Sequence, residues 1–404
     1  MQCTRKVEED VYWIGSEDRK IQLFENIIPI QKGVSYNSYI ILDKKTVLLD
    51  TVDYSIGKQF LENLEYVLDG RKLDYLIVNH MEPDHSSLIA EIVLRYPEVK
   101  IIGNMQTAKM LKQFFEFDVD SRMQIVKENE ELNIGKHTLK FIFAQMVHWP
   151  EVMFTYDKTS KILFSADAFG TFGALNGNLY NDDSDFEKAY LSQARRYYCN
   201  IVGKYGFQVQ NVFKKLEGIE INKICPLHGP IWRSSLSYIL DKYNKWSKYE
   251  PEEKSVVIIY SSVYGNTENV ANVLSNKLSE KGIKNIKVFD VSHVDVSVLV
   301  AESFKVSNIA IISTTYNMGV FPKIEEYLDH IKRMNLQNRT ISIIENSTWA
   351  PGITKTISDR LSEMQNMNIL EEKLAIKSQI LSTNNINVSF ISNLYYNPYL
   401  ILLR

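Results

Sequence analysis

Six consecutive positions, His80-Met81-Glu82-Pro83-Asp84-His85, hold two imidazoles and two carboxylates. They follow the apolar run Tyr75-Leu76-Ile77-Val78, which reads as a buried strand. Pro83 and the pair Ser86-Ser87 argue against a helix, so Asn79 to Ser87 reads as a loop at the carboxyl end of that strand. Alternate side chains of an extended segment point the same way, so His80, Glu82 and Asp84 are expected to converge on one point. Neutral imidazole together with ionised carboxylate is a donor set for borderline-hard transition metals.

The feature recurs. The apolar stretch Leu139 to Phe143 leads through Met146-Val147 to His148, Lys161 to Ala166 ends at Asp167, and Asn222 to Leu227 ends at His228. Four strands thus end in a potential ligand, and the ends of strands in a sheet gather at one edge, where sites are built. Of the seven histidines, His80, His85, His148 and His228 lie in these loops. His137, His293 and His330 read as ordinary surface or turn residues. Pro150 and Gly229-Pro230 put rigid turn chemistry beside two of the ligands.

Length and charge narrow the class. A chain of 404 residues exceeds what one core usually holds, so two or three domains are expected. A net charge of -3 with no basic tract gives no indication of nucleic acid. No apolar run reaches membrane-spanning length, and Met1 to Asp10 has no apolar signal core. Cys3, Cys199 and Cys225 form no CxxC pair, which argues against disulfides, zinc ribbons and thiolate-bound iron. A reducing cytoplasm is the simplest compartment.

Up to about residue 250 the chain reads as strands (Val11 to Ile14, Tyr39 to Leu42, Lys45 to Asp50, Lys100 to Ile102) mixed with helices (Gly57 to Leu68, and one through Met110 and Phe114). Lys242 to Pro251 is short and charged and reads as a linker. After it the pattern changes. Ser255 to Tyr260 is a nearly continuous apolar strand, as in a parallel sheet covered on both faces. Strands Ile286 to Val291, Ile309 to Ser313 and Thr340 to Ile344 alternate with helices Lys323 to Met334 and Thr354 to Met364, which describes a doubly wound α/β unit.

The first loop of that unit, Ser262-Val263-Tyr264-Gly265-Asn266-Thr267, precedes a helix and is rich in hydroxyls, which suits a phosphate at a helix N-terminus. It lacks the lysine of a nucleoside-triphosphate loop and the glycine spacing of a dinucleotide loop. Two further loops at the same edge, Thr314-Thr315-Tyr316-Asn317-Met318-Gly319 and Asn346-Ser347-Thr348-Trp349-Ala350-Pro351, each offer an aromatic ring among polar neighbours. A flat ring held by Tyr316 or Trp349, with its phosphate in the first loop, describes flavin mononucleotide, FMN.

These residues resemble the flavodiiron proteins over nearly the whole chain. Residues 1–250 are similar to a metallo-β-lactamase-type αββα sandwich, and residues 254–404 to flavodoxin. Hydrolases with that sandwich carry H-x-H-x-D-H; here Glu82 gives H-x-E-x-D-H, the pattern of the diiron members. His148-Trp149-Pro150-Glu151 also fits the family. The resemblance implies one iron on His80, Glu82 and His148, the other on Asp84 and His228, and Asp167 bridging. Three carboxylates against two ferrous ions leave one positive charge, which a bridging hydroxide would cancel, avoiding a large desolvation cost. It further implies reduction of dioxygen to water or of nitric oxide to nitrous oxide, FMN as the electron relay, and a head-to-tail homodimer or dimer of dimers. No rubredoxin-like CxxC module follows, so a separate rubredoxin-like donor is expected. His85, next to Asp84, is expected to point away and to serve through hydrogen bonds. Ser347 departs from a glycine common in relatives. The tail 382–404 should form the last flavodoxin helix but is poor in helix formers. The competing readings are a dizinc hydrolase fused to a flavodoxin module and a flavin electron carrier with a docking domain.

Overall fold

The computed structural model describes residues 2–380; the expected last helix, at 382–404, lies outside the described residues. The chain divides into two compact units, Met1–Asn244 and Lys245–Arg404.

The first unit is a sandwich of two sheets. Seven strands form one sheet, in the order Arg5–Lys6, Val11–Trp13, Tyr39–Leu42, Thr46–Leu49, Tyr75–Ile77, Lys100–Gly103 and Met123–Ile125. Five form the other: Glu131–Asn133, Thr138–Phe143, Met153–Asp157, Ile162–Phe164 and Lys223–Cys225. Alternation along the strands decides the packing. Tyr39, Ile41, Val47, Leu49 and Ile77 meet Phe141, Met153, Ile162 and Phe164 in the core between the sheets. The neighbours Ile40, Leu48 and Leu76 are equally buried, so that sheet is covered on its second face as well. The helix Gly57–Leu68 brings buried Phe60, Leu64, Val67 and Leu68 at helical spacing. The sequence-based architecture of a metallo-β-lactamase-like sandwich holds.

The second unit is a parallel sheet in the order Lys287–Asp290, Glu253–Tyr260, Val306–Thr314 and Thr340–Ser347. Along the far side of the last strand lie two short parallel segments, Asn368–Ile369 and Leu374–Lys377. With the helices Asn266–Glu280, Val296–Lys305, Pro322–Arg333 and Ile353–Ser362 this is the flavodoxin-like doubly wound order. Arg339 is buried at the base of the unit and donates to the carbonyls of Tyr249, Ser303, Phe304, Gln337 and Asn338.

Two sequence-based expectations change here. Much of the supposed linker Lys242 to Pro251 is helix, Leu236–Ser247. Ile239, Tyr243 and Trp246 recur at helical spacing and are fully buried, so apolar periodicity outweighs the local charge. His137 is not a surface residue. It is buried in the turn between Glu131–Asn133 and Thr138–Phe143, with Nδ1 2.8 Å from Asp157 Oδ2 and Nε2 3.3 Å from Asp10 Oδ2. His293 is exposed and His330 half-buried on a helix.

Candidate functional site

Each expected ligand stands just beyond a strand of the sandwich. His80, Glu82, Asp84 and His85 follow Tyr75–Ile77, His148 follows Thr138–Phe143, Asp167 follows Ile162–Phe164, and His228 follows Lys223–Cys225. The loops bring them into two groups. His80, Glu82, His148 and Asp167 form one, and Asp84, His85 and His228 the other; within each, the donor atoms lie within 4.8 Å of one another.

The division corrects the reading of 79–87 as an extended loop with three side chains on one point. Pro83 occupies the first position of a helical turn, Pro83–Ser86, where its missing N–H costs nothing. His80 and Glu82, before the turn, reach the first group. Asp84 and His85, inside it, are successive helical residues and both reach the second. His85 therefore does not point away: its Nε2 lies 3.0 Å from His228 Nε2, 3.2 Å from Asp84 Oδ2 and 3.3 Å from Asp167 Oδ1.

Asp167 joins the groups. Its Oδ2 lies 3.1 Å from His148 Nε2 and 3.3 Å from His80 Nε2, while Oδ1 faces His85 and, at 3.7 Å, His228. Glu82 Oε2 completes the first group at 3.1 Å from His148 Nε2 and 3.2 Å from His80 Nε2. Burial pushes all these carboxyls up, but the imidazoles outweigh it. Glu82 is held down to about 2 by His148 and His80, and Asp84 and Asp167 are also held well below the usual range. Burial pulls His80, His85 and His148 down, and the facing carboxylates overcome it, raising His148 to about 9 and His85 to about 10. The two groups of donor atoms could each hold a metal ion.

Distant segments hold the ligands in place. Glu151 Oε1 accepts from His80 Nδ1 and from Met81 N–H, each at 2.8 Å. Asp50 takes the N–H groups of Asn79 and His80, and burial lifts its carboxyl to about 6 despite those bonds. His228 Nδ1 donates to the Ser35 carbonyl at 2.8 Å. These bonds fix the tautomer that leaves Nε2 of His80 and of His228 free for the site. A wall of rings surrounds them. Phe24, Tyr36 and Tyr197 each stand 5.5 Å, centroid to centroid, from His228, and Trp149 stands 5.5 Å from His80.

In the second unit a cleft of about 480 Å³ opens at the carboxyl edge of the sheet. Ser262, Val263, Tyr264, Asn266 and Thr267 line it from the first loop, Thr314 to Met318 from the second, and Asn346 to Ala350 from the third. Gly265 and Gly319, expected among the lining residues, shape the loops instead. Gly265 is the left-handed residue that opens the helix Asn266–Glu280, with φ 86°. Gly319 closes a tight turn with Tyr316 through paired backbone bonds of 3.0 and 2.9 Å. Ser378, which the sequence reading missed, also lines the cleft.

Comparison with known proteins agrees with this arrangement. Residues 34–229 match the family model described as ODP family beta lactamase, and residues 257–382 that of a flavodoxin domain. An uncharacterized protein of Methanocaldococcus jannaschii is 32% identical, covering 81% of each chain. The anaerobic nitric oxide reductase flavorubredoxin of Klebsiella pneumoniae is 28% identical, over 88% of this chain and 74% of its own. Among solved structures, the rubredoxin oxygen:oxidoreductase of Desulfovibrio gigas superposes with a TM-score of 0.91 at 26% identity, covering 98% of both chains. A flavo di-iron protein of Thermotoga maritima gives 0.89 at 26% identity. The chain belongs to the flavodiiron proteins. That family is one of oxidoreductases and implies a diiron site and FMN.

The residues fit both groups. At the diiron position of a flavodiiron protein, Asp84 Oδ1 and Oδ2 and Asp167 Oδ1 are buried without a hydrogen bond among the described residues, and two Nε2 atoms face each other. Buried carboxylate oxygens so placed need positive charge beside them, from the facing imidazoles or from a bound cation. In the flavin cleft, Thr315 Oγ1 is likewise buried and unbonded, and the helix Asn266–Glu280 has no side-chain cap at its N-terminus.

Two more residues border the metal pocket and gave no signal in the sequence. Glu25, at the tip of the hairpin Leu23–Phe24 and Ile28–Pro29, is exposed as a residue, yet its carboxyl turns back on Glu82. Loss of water and then the Glu82 carboxylate push it up to about 8. Tyr197 is fully buried, its hydroxyl unbonded among the described residues. Burial first, and then the negative charge of Asp167 and Asp84, raise it well above its usual value, so it stays protonated. Both come from segments far from the ligand motif in sequence. No helix of the described residues is long and apolar enough to cross a membrane.

Proposed function

We propose that this chain reduces dioxygen to water or nitric oxide to nitrous oxide at two irons, with FMN relaying electrons from a separate rubredoxin-like protein. The observation that carries the reading is Asp167, whose two oxygens each face one of the two ligand groups. His80, Glu82 and His148 would hold one iron, Asp84 and His228 the other, with Asp167 between them; His85 adds a nitrogen beside the second. Bound there, the irons would supply electrons to the gas and polarise it, and FMN would supply electrons to the irons.

The protein's own contribution is positional and electrostatic. Three carboxylates nearly balance two dications, which lowers the cost of burying them. Glu151 and the Ser35 carbonyl hold two imidazoles in one tautomer. Phe24, Tyr36, Tyr197 and Trp149 limit water around the ligands, which suits a small apolar gas. The protonated Tyr197 hydroxyl, without a partner among the described residues, would supply a hydrogen-bond donor there.

The working unit proposed is a head-to-tail homodimer in which the flavin of one subunit serves the irons of its partner. Metal and flavin analysis of protein made with iron and zinc both supplied tests the reading: about two irons and one FMN per chain are expected. Stoichiometric zinc without iron would favour a hydrolase and reject the proposal. Dilution should slow reduction of the irons by FMN more than reduction of FMN by its donor; full turnover by a stable monomer would exclude the dimer route.

A further inference from the structure

We infer that Glu345 is the positioning residue for the flavin-ring end of the cleft. It stands near the carboxyl end of the strand Thr340–Ser347, is buried, and sits one residue before the third loop. Its carboxylate spans that loop. Oε1 accepts the Gly352 N–H at 2.8 Å, and Oε2 accepts the Thr354 N–H at 2.9 Å and the Thr354 hydroxyl at 2.6 Å. The helix Ile353–Ser362 opens on Gly352, at φ 150°, which has no side chain to cap it, so Glu345 supplies the missing cap from the strand.

Between these anchors the loop carries Trp349, 83% exposed at the cleft. Among the described residues, hydrogen bonds tie 348–352 to the rest of the unit through Glu345 at one end and the Ser378 hydroxyl, 3.2 Å from Thr348 Oγ1, at the other. The Trp349 ring therefore stands where those two ties put it. The same carboxylate settles which helix receives the phosphate. An anion already occupies the N-terminus of Ile353–Ser362, whereas the N-terminus of Asn266–Glu280, beside Ser262 and Thr267, has no side-chain cap. Glu345 thus acts on the ring end and leaves the phosphate end to the first loop.

This inference rests on the FMN reading above, and the test separates the two. Full-length protein freed of flavin is titrated with FMN and with riboflavin, which lacks the phosphate, by quenching of flavin fluorescence. Glu345→Gln should weaken both ligands by the same factor, about tenfold or more, since it loses charge-assisted bonds that fix the loop. Ser262→Ala should weaken FMN and spare riboflavin. Thr354→Val, which removes one donor and keeps the backbone bond, should reproduce a smaller part of the Glu345→Gln loss, and serves if Glu345→Gln does not fold. Equal flavin affinity in wild type, Glu345→Gln and Thr354→Val overturns the inference alone, as does a loss confined to FMN. Failure of the wild-type chain to take up either flavin overturns the FMN reading and this inference with it.

Discussion

Glu151 Oε1 lies 2.8 Å from His80 Nδ1 and fixes that imidazole from behind while Nε2 faces Glu82 and Asp167. The same oxygen holds the Met81 N–H, so one carboxylate sets both the ring and the backbone that carries it. Glu151→Gln keeps the size and can turn its amide toward His80, which favours the wrong tautomer. Metal affinity should fall about 10- to 100-fold with the fold kept. Competition against a chelator measures this; unchanged affinity would show that Glu151 only supports the backbone.

Asp167 and His85 should differ in how many irons they govern. Asp167 faces both groups and His85 only the second. Asp167→Ala should therefore lose both irons, whereas His85→Ala should weaken one and leave the other. Iron counts after passage through a desalting column decide it. Loss of both irons in His85→Ala, or of neither in Asp167→Ala, would contradict the assignment.

The donor types were legible in the sequence, because imidazole and carboxylate at strand ends mean one kind of chemistry wherever they recur. So was the doubly wound unit, whose strands are continuous apolar runs. The geometry of 79–87 was not. Pro83 reads as a helix breaker in a linear scan, but at the first helical position it starts a turn, and that turn sends Asp84 and His85 to the second group. Asp50 and Glu25 were hidden for another reason: each acts on a ligand from a distant stretch of chain, 30 positions away for Asp50 and His80, and nothing local marks such a partner; Glu151 stood out only as part of His148-Trp149-Pro150-Glu151, not as the partner of His80. Ser378 follows a four-residue strand, Leu374–Lys377, too short for periodicity to reveal. His137 lies in a turn, as one of the two expectations had it, but its burial was not legible because its partners, Asp10 just before Val11–Trp13 and Asp157 at the end of Met153–Asp157, lie elsewhere in the chain.

Arg339 should matter to the second unit far more than a surface arginine would. It is about 1% exposed and satisfies five carbonyls around Tyr249, Ser303 and Phe304. Arg339→Met fills the space and leaves those acceptors bare, at a cost of about 3 kcal/mol after relaxation. Urea unfolding followed by loss of bound flavin should show an earlier transition for that unit. A midpoint equal to wild type would mean that water replaces the guanidinium at no cost.

His137 links stability to pH away from the metal pocket. The hydrogen bond that His137 donates to Asp157 leads the causes that raise its pKa, burial opposes, and Asp10 and Asp43 add to the rise. Asp43 also accepts the His137 N–H at 2.8 Å, and Lys136, beside it, pairs with Asp10 and Glu9. A histidine whose folded pKa is raised stabilises fully below its unfolded value, near 6.5, and loses that contribution as pH climbs through the folded value. Asp10 is lowered, chiefly by Lys136, and Asp43 is lowered by backbone bonds from His137 and Lys136 that outweigh its burial. Their contribution is present above about 4 and fades as pH falls through the depressed values. The cluster should therefore stabilise most between about pH 4 and 6.5. His137→Gln should cost about 2 kcal/mol at pH 6 and less at pH 9, because the wild type loses the charged pair as pH climbs through the raised folded value. Thermal unfolding of both proteins at the two pH values tests this, and an equal cost at both would mean that the imidazole is held neutral between its carboxylates.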